Sequence, residues 1–185
     1  MTTLLTRLRA RPIPSLVAVV ALLLAAVSGM AAWMLKDNVT TSTEQVVNTT
    51  GGYRIEVPDG WTSTQDGRTT KVKSPEGDTL ITFGLGRTGP LPVAATLFFQ
   101  QVGGGYDNVQ VFPPEGKKIR GLPALVDGGM GTNDKKEQVR FLAISVENAP
   151  TNYGITVFTS AGSDPKTVLP EVNRVVDSFT ELPAH

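Results

Sequence analysis

The sequence predicts an α+β domain, an antiparallel sheet flanked by helices, that follows a membrane-spanning helix. Along residues 52–182, several short segments alternate apolar with polar residues, which is typical of strands with one solvated face. Two other segments carry apolar residues at the helical period. Ahead of this domain, Leu16–Leu35 contains only two residues that are not apolar, Ser28 and Gly29. As a helix this run spans about 30 Å, the hydrocarbon thickness of a bilayer.

The charges near the N-terminus predict the orientation of the membrane helix. Arg7, Arg9 and Arg11 precede it without an acidic residue, and such residues favour the cytoplasmic side. The chain is therefore divided into a cytoplasmic N-terminus (1–12), a transmembrane helix (13–35), a flexible linker (36–51) and an extracytoplasmic domain (52–182). The alternative is a secretory signal cleaved near Ala26–Ser28 or Gly29–Ala31, although the apolar run exceeds the usual signal core of about 7–15 residues. Both alternatives place the domain outside the cytoplasmic membrane.

The first half of the domain is predicted to be a small β-meander. Apolar and charged residues alternate from Tyr53 to Val57, and Pro58–Gly60 then forms a turn. Two more strands are predicted at 69–73 and 79–85. The segment Ser74–Asp78 between them contains a proline and a glycine, as hairpin loops do.

Residues 93–102 switch to the helical period. Projected at 100° per residue, four residues share one face that we expect to pack on the sheet: Ala94, Leu97, Phe98 and Val102. Phe99 lies well away from the centre of that face and is predicted to face solvent. Because exposed large apolar side chains can mark contact sites, Phe99 is the one residue that the sequence predicts to bind a partner.

The second half of the domain returns to strands and ends in a helix. Strands are predicted at 109–112, 122–126, 138–146 and 153–160. A closing helix is indicated by apolar residues at spacings of four, three and four, with Thr167 as its N-cap. These apolar residues are Val168, Val172, Val175 and Phe179.

Composition excludes several kinds of active site. The chain has no cysteine, and its one histidine is the terminal His185, so thiolate chemistry and a well-placed histidine base are both missing. No spacing among the carboxylates selects an acid–base pair or a calcium loop. The carboxylates considered are Glu56, Asp59, Asp66, Glu76, Asp78 and Asp127. The sequence therefore predicts no catalytic, cofactor-binding or metal-binding residue, and a protein that is not an enzyme.

The charge balance argues against a nucleic-acid partner. Residues 37–185 contain 13 basic and 17 acidic residues, a net charge of minus four, whereas binding to a phosphate backbone needs a basic face. Lys117–Arg120 is the one dense basic run of the domain. Anionic lipid headgroups would attract it if it faced a membrane, but such charges more often keep a strand edge soluble, and we favour that interpretation.

Three segments resemble the PsbP-like fold family. They are the strand, turn and tryptophan of Gly52–Trp61, the turn into a strand at Gly121–Ala124, and the helix end at Asp177–Phe179. The family includes the PsbP subunits of photosystem II, the Mog proteins that bind the GTPase Ran, and actinobacterial envelope lipoproteins of the LpqN type. The resemblance implies an α/β/α sandwich that serves as a binding or assembly module, usually without catalysis. The lipoprotein members carry an anchoring cysteine, and this chain has an apolar segment instead.

These observations together predict a single-pass membrane protein with its C-terminal domain outside the cytoplasm. We expect a non-catalytic interaction or assembly module, an accessory subunit of a membrane protein complex. One alternative is a carrier with a pocket for a lipid or small amphiphile. The other, less favoured, is a carboxylate-dependent hydrolase of envelope glycans. A filled core with an exposed apolar patch would favour the protein partner, and a large apolar cavity would favour the carrier.

Overall fold

A computed structural model describes residues 43–183, which contain eleven strands and two helices. The predicted cytoplasmic segment 1–12 and transmembrane helix 13–35 lie outside the described residues. Within 43–183, no helix is long and apolar enough to cross a membrane. The strands are β1 Thr43–Asn48, β2 Tyr53–Pro58, β3 Thr62–Asp66, β4 Thr69–Lys73, β5 Thr79–Thr88, β6 Asp107–Val111, β7 Glu115–Ile119, β8 Leu122–Thr132, β9 Gln138–Val146, β10 Thr151–Ser160 and β11 Thr180–Glu181. The helices are α1 Leu91–Gly103 and α2 Pro165–Asp177.

The strands form two antiparallel sheets. The larger sheet has the order β3-β4-β5-β10-β9-β8-β6, and β7 also pairs with β8. The smaller sheet has the order β1-β2-β11. In the larger sheet, β3, β4 and β5 are neighbours in chain order. The other neighbour of β5 is β10, and from β10 the order runs back through β9 and β8 to β6. This arrangement makes β5, β10, β9 and β8 the long centre of the domain.

One face of the larger sheet forms the main core with the smaller sheet and α2. Register pairs Ile155 with both Ile144 and Phe83, so alternate residues of three strands point to the same side. Side chains of the smaller sheet and of α2 pack against these alternate residues. The buried residues include Tyr53, Ile55 and Val57 of β2, Val172, Val175 and Val176 of α2, and Phe179 beyond it. The helices therefore flank the larger sheet on both faces, because α1 packs on the opposite one.

Most predicted elements are confirmed, and the differences have local causes. The linker predicted at 36–51 is too long, because residues 43–48 form β1 and pair with β2. Strands β3, β7 and β11 were not predicted, since their residues are largely polar and exposed and leave no alternation to detect. The closing helix begins at Pro165, capped by Asp164, whose side chain accepts a hydrogen bond from the Lys166 N–H. Phe179 follows that helix rather than lying within it.

Candidate functional site

The helix α1 packs on the larger sheet at Gly154, where the missing side chain makes room for it. A Cβ added at Gly154 of β10 would lie 2.8 Å from Cζ of Phe98 and 3.1 Å from the backbone of Gly86. The side chain of Phe98 therefore occupies the space that a residue in β10 would normally fill. Ala94 and Ala95 are the other buried residues of the helix. Their small side chains let the helix axis sit near the strands.

The opposite side of α1 carries no charge and exposes two large aliphatic side chains. Val93 is 56% exposed and Leu97 is 46% exposed, and they lie four residues apart on the same side of the helix. No charged residue occurs between Arg87 and Asp107. We call the exposed residues of this helix the α1 surface: Pro92, Val93, Thr96, Leu97, Gln100 and Gln101. An uncharged helix that exposes two large aliphatic side chains differs from the usual solvated helix face, which makes the α1 surface the candidate contact site of the described residues.

The structure corrects the prediction that Phe99 faces solvent. Phe99 is half-buried, and its ring lies against Phe141 of β9 with centroids 5.8 Å apart. Leu97, which was expected to pack on the sheet, is the exposed residue instead. The helix is rotated so that Ala94, Ala95 and Phe98 face the sheet, because the alanines allow close packing and the ring of Phe98 fits over Gly154. The adjacent alanines in the sequence, with Gly154 in a predicted strand, were the signal for this rotation.

A separate open groove of about 690 Å³ lies on the same side of the larger sheet as α1. Its floor is formed by apolar side chains, and two carboxylate residues, Asp78 and Glu137, stand among the residues that line it. The floor residues are Leu80, Tyr106, Val139 and Phe158. Tyr106 is stacked on Phe141, with ring centroids 5.1 Å apart, so the floor is continuous with the aromatic contacts beneath α1.

The groove carboxylates are held by structural hydrogen bonds. Ser163 and Ser74 donate to Asp78, the latter at 2.8 Å, and these hydrogen bonds lower the pKa of the Asp78 carboxyl. They tie the turn between β4 and β5 to the loop before α2. Glu137 accepts a hydrogen bond from the side chain of Asn133 at 2.9 Å. A carboxylate with a lowered pKa is a poor proton donor, so Asp78 lacks the property that a general acid requires.

The other predicted carboxylates are dispersed. Glu56 lies in β2 and Asp66 ends β3, whereas Asp59 lies in the turn between β2 and β3 and Glu76 lies in the turn between β4 and β5. Asp127 of β8 opposes Ala143 of β9, and burial raises the pKa of its carboxyl. Among residues 43–183, no group of three or more histidine, aspartate or glutamate side chains is placed to hold a metal ion.

The basic run Lys117–Arg120 has a structural role at the end of α2. Lys117 forms an ion pair with Asp177 at 2.6 Å, and Nε of Arg120 donates to the backbone carbonyl of the same residue at 3.1 Å. Positive charge at a helix C-terminus is favourable, because the carbonyl dipoles point there. Lys117–Ile119 lie in β7 and Arg120 follows it, so the run fastens this part of the chain to the end of α2, a contact that neither sequence interpretation predicted.

The layered arrangement identifies the domain as one of the PsbP-like fold. No protein-family model and no curated protein match the sequence. Several solved structures are similar to this chain in fold. The Ran-binding protein Mog1p of Saccharomyces cerevisiae superposes with a TM-score of 0.58 at 11% identity, covering 77% of this chain and 96% of Mog1p. PsbP of the cyanobacterium Synechocystis sp. PCC 6803 superposes with a TM-score of 0.57 at 14% identity, covering 81% and 99% of the two chains.

A third similar structure is LpqN of Mycobacterium tuberculosis, described as involved in cell envelope biogenesis. It superposes with a TM-score of 0.56 at 13% identity, covering 83% of this chain and 97% of LpqN. At these identities the likeness establishes the fold. The PsbP-like resemblance seen in the sequence is therefore confirmed as a fold.

Proposed function

We propose that this protein is a membrane-anchored, non-catalytic interaction or assembly module that works outside the cytoplasm as an accessory subunit of a membrane protein complex. The observation that carries the proposal is the α1 surface, where Val93 and Leu97 are exposed on a helix without charge. The anchor is the apolar segment 13–35, with Arg7, Arg9 and Arg11 on its cytoplasmic side.

The proteins of similar fold support a role in binding. Mog1p is described as a Ran-binding protein, and LpqN is described as involved in cell envelope biogenesis. A protein-binding role in the envelope combines these two properties with the predicted topology of this chain. The fold does not select the partner, because functions that differ widely share it.

The arrangement of the ionisable groups supports a non-catalytic role. A general acid and base need side chains that converge on one site with pKa values moved apart. Asp78 and Glu137 are each bonded to neighbouring polar side chains, and Asp127 lies on β8, away from the residues that line the groove. These contacts hold loops in place and leave no free acid–base pair in the groove.

A carrier of a small amphiphile is the second candidate, and the open groove is the observation that favours it. Leu80, Val139 and Phe158 would contact an apolar chain there. Against this candidate, the space between the sheets is filled by an aromatic cluster, in which Phe179 lies 4.9 Å from Tyr153 and 5.6 Å from Tyr53, measured between ring centroids. Ligand carriers usually enclose most of the ligand surface, and this groove is open to solvent.

The proposal is tested by gentle solubilisation of native membranes and affinity purification through a C-terminal tag. Leu97→Ser removes one exposed apolar side chain from the α1 surface, and Val111→Ser is the matched control, because Val111 is 62% exposed on β6. We expect a stoichiometric set of membrane proteins with the wild-type chain and with Val111→Ser, and a reduced set with Leu97→Ser. Burying a whole leucine is worth about 1.5–3 kcal/mol, so the exposed half corresponds to a loss of about 3- to 10-fold in affinity.

Two results would contradict the proposal. Recovery of the wild-type chain alone would remove the stable-subunit role, and bound lipid extracted from that sample would favour the carrier. Equal recovery of partners with both variants would leave an accessory role but place the contact away from α1. A variant Phe99→Ser is less informative, because the half-buried ring of Phe99 contacts Phe141 and its loss would also reduce stability.

A further inference from the structure

We propose that the open groove of the larger sheet receives a positively charged side chain, arginine or lysine, carried by a segment of the partner protein. This inference adds a second contact to that of the α1 surface and rests on the proposed function, because it takes the partner to be a protein. Three observations carry it. The residues that line the groove include two acidic and no basic ones, its floor is apolar and partly aromatic, and it lies on the same face of the sheet as α1.

The groove and the α1 surface share one face of the larger sheet. Leu80 pairs with Phe158, and Phe158 pairs with Phe141, so these three side chains point to the same side. The ring centroids of Phe141 and of Phe99 in α1 are 5.8 Å apart. Tyr106, which lines the groove, follows closely after the end of α1 in the chain. A protein that covers α1 can therefore extend over the groove without leaving this face.

Asp78 and Glu137 lie on either side of the end of β10. The Ser160 N–H donates to the carbonyl oxygen of Asp78 at 2.9 Å. On the other side, the Ala161 N–H donates to the carbonyl oxygen of Gln138, the neighbour of Glu137, at 3.1 Å. Adjacent strands are about 4.8 Å apart, so β5 and β9, which β10 separates, lie about 10 Å apart. A cation that enters the groove over β10 is therefore attracted from both sides.

Both carboxylates keep room for a further donor. Hydrogen bonds, of which the one from Ser163 has the largest effect, lower the pKa of the Asp78 carboxyl, so this group is ionised at neutral pH. Its donors are the hydroxyls of Ser163, Ser74 and Thr79, whereas an ionised carboxylate has about four acceptor sites. Glu137 is exposed and accepts one hydrogen bond from a side chain. Each carboxylate therefore retains at least one acceptor site for a partner.

The nearby lysines do not supply that donor. Lys136 adjoins one groove carboxylate in sequence, but its ammonium pairs with Asp107 at 3.3 Å. Lys73 lies beside Gly77, where its Nζ would be 3.2 Å from an added Cβ. Within residues 43–183, neither lysine forms an ion pair with a groove carboxylate, and neither lines the groove. The counter-ion of the groove therefore has to come from another molecule.

The floor of the groove suits the stem and the head of a basic side chain. Tyr106 and Phe158 are half-buried, with ring centroids 6.0 Å apart, and aromatic faces attract cations. Leu80 and Val139 add aliphatic surface. The methylene stem of arginine or lysine packs on such surface while the charged head stays at the rim. A purely apolar side chain would use the floor alone, and an acidic one would be repelled by the rim.

The open shape of the groove favours a protein segment over a free organic cation. Sites for small ligands usually bury about 70–90% of the ligand surface, and this groove is open to solvent. A side chain of a protein that already contacts the same face needs no such enclosure, because the first contact holds it at high effective concentration. We therefore assign the groove to the partner that covers α1.

The three tyrosines of the chain provide a probe of the groove. Tyr53 and Tyr153 are buried in the main core, and only Tyr106 lines the groove. The full chain is labelled with 3-fluorotyrosine and placed in nanodiscs of phosphatidylcholine, which has no net charge. Two capped tripeptides are then added, one with arginine and one with uncharged citrulline between two leucines. Fluorine NMR reports binding at Tyr106 against two internal controls, and Tyr106→Phe identifies its signal.

We expect the arginine peptide to shift the Tyr106 signal alone. It should bind about 3- to 30-fold more tightly than the citrulline peptide, as one exposed ion pair and one cation–π contact together allow. Glu137→Gln should weaken binding of the arginine peptide about 2- to 5-fold, because it removes a charge and keeps an oxygen for Asn133. Glu115→Gln is the matched control, since Glu115 is exposed on β7 and does not line the groove.

Three results of this titration would overturn the inference. They are a Tyr106 signal that does not move, equal affinities for the two peptides, and equal effects of the two glutamine substitutions. Unchanged signals from Tyr53 and Tyr153 in each variant show that the core is intact.

Affinity purification from native membranes tests whether a partner protein supplies the basic side chain. Glu137→Lys is compared with Glu115→Lys, which changes the net charge equally. We expect fewer partner proteins with Glu137→Lys and full recovery with Glu115→Lys, because only the first places a like charge in the groove. Full recovery with Glu137→Lys would overturn the groove contact and leave the α1 contact, which Leu97→Ser tests separately.

Failure of the proposed function gives a different result. Recovery of the wild-type chain alone would contradict that function. A small organic cation extracted from the same sample would then make a free ligand, rather than a partner segment, the occupant of the groove, and would overturn the inference.

Discussion

The hydroxyl of Tyr53 connects the two sheets, and Tyr53→Phe should measure what that connection contributes to stability. The side chain is fully buried, and its oxygen lies 2.9 Å from Oγ1 of Thr70 and 3.1 Å from the carbonyl oxygen of Phe83. Both partners belong to the larger sheet, whereas Tyr53 belongs to β2 of the smaller one. The substitution keeps the ring and its aromatic contacts and removes only these polar contacts.

The expected loss follows from the number of partners that the hydroxyl leaves behind. A buried polar group without a partner costs about 1–3 kcal/mol. Thr70 retains a hydrogen bond from the Asn48 side chain at 3.1 Å, so the Phe83 carbonyl and the Arg68 carbonyl are the groups most affected. We therefore expect Tyr53→Phe to lower the free energy of unfolding by about 1–3 kcal/mol.

The matched control is Tyr153→Phe. Its hydroxyl donates one hydrogen bond, to the carbonyl of Gly52 at 3.1 Å, so the expected loss is that of a single ordinary bond, about 0.5–1.5 kcal/mol. Urea unfolding of residues 36–185, which contain the whole described core, measures the free energy of unfolding of both variants. The dependence of that free energy on urea concentration should be the same for both. A loss for Tyr53→Phe no larger than that for Tyr153→Phe would refute the view that Tyr53 links the sheets.

Three other substitutions test the packing of α1 and the carboxyl groups. Gly154→Ala would place a methyl group 2.8 Å from Cζ of Phe98, so we expect a loss of about 1–3 kcal/mol in the urea experiment, and an additional Phe98→Leu should recover part of it. Asp127→Asn should raise the free energy of unfolding at pH 7, because burial raises the pKa of this carboxyl and the folded state penalises its charge; the gain should vanish below the ordinary aspartate pKa of about 3.9. Asp78→Asn should lower the free energy of unfolding at pH 7, since hydrogen bonds from Ser163 and Ser74 lower the pKa of the Asp78 carboxyl. The stabilisation by the wild-type carboxylate is present above its unfolded pKa and is lost as the pH falls through the folded pKa. Unfolding curves at several pH values between 2 and 7 measure both, and variants with the same pH dependence as the wild type would contradict these assignments.

Local patterns predicted the elements that bury one regular face. Residues 69–73 and 138–146 form strands with the predicted boundaries, because each presents a regular buried face, Thr70 and Val72 in the first and Phe141, Ala143 and Ser145 in the second. The exposed strand β3 has the sequence Thr-Ser-Thr-Gln-Asp, and its pairing with β4 supplies the reason for its conformation. Strands of this kind form because they pair with a neighbouring strand, and their local sequence does not predict that pairing.

The sequence predicted the helix that carries the candidate contact residues, but it assigned the exposed position to the wrong residue of that helix. Period alone put Phe99 outside and Leu97 inside, and the structure has the ring half-buried and Leu97 exposed. Their positions depend on how α1 is rotated against the sheet. That rotation follows from the fit of Phe98 over Gly154, two residues separated by more than fifty positions in the chain.

The sequence by itself determined the class of the domain, the missing cysteine and internal histidine, the uncharged segment between Arg87 and Asp107, and the apolar segment that predicts an anchor. These are properties of composition and short-range spacing, which need no partner in space. The tertiary structure alone decided that β1 belongs to the domain, that Lys117 pairs with Asp177, and that Leu97 is exposed while Phe99 is half-buried. Each of these depends on contacts between segments far apart in the chain, because burial and ion pairing arise only when the layers pack together.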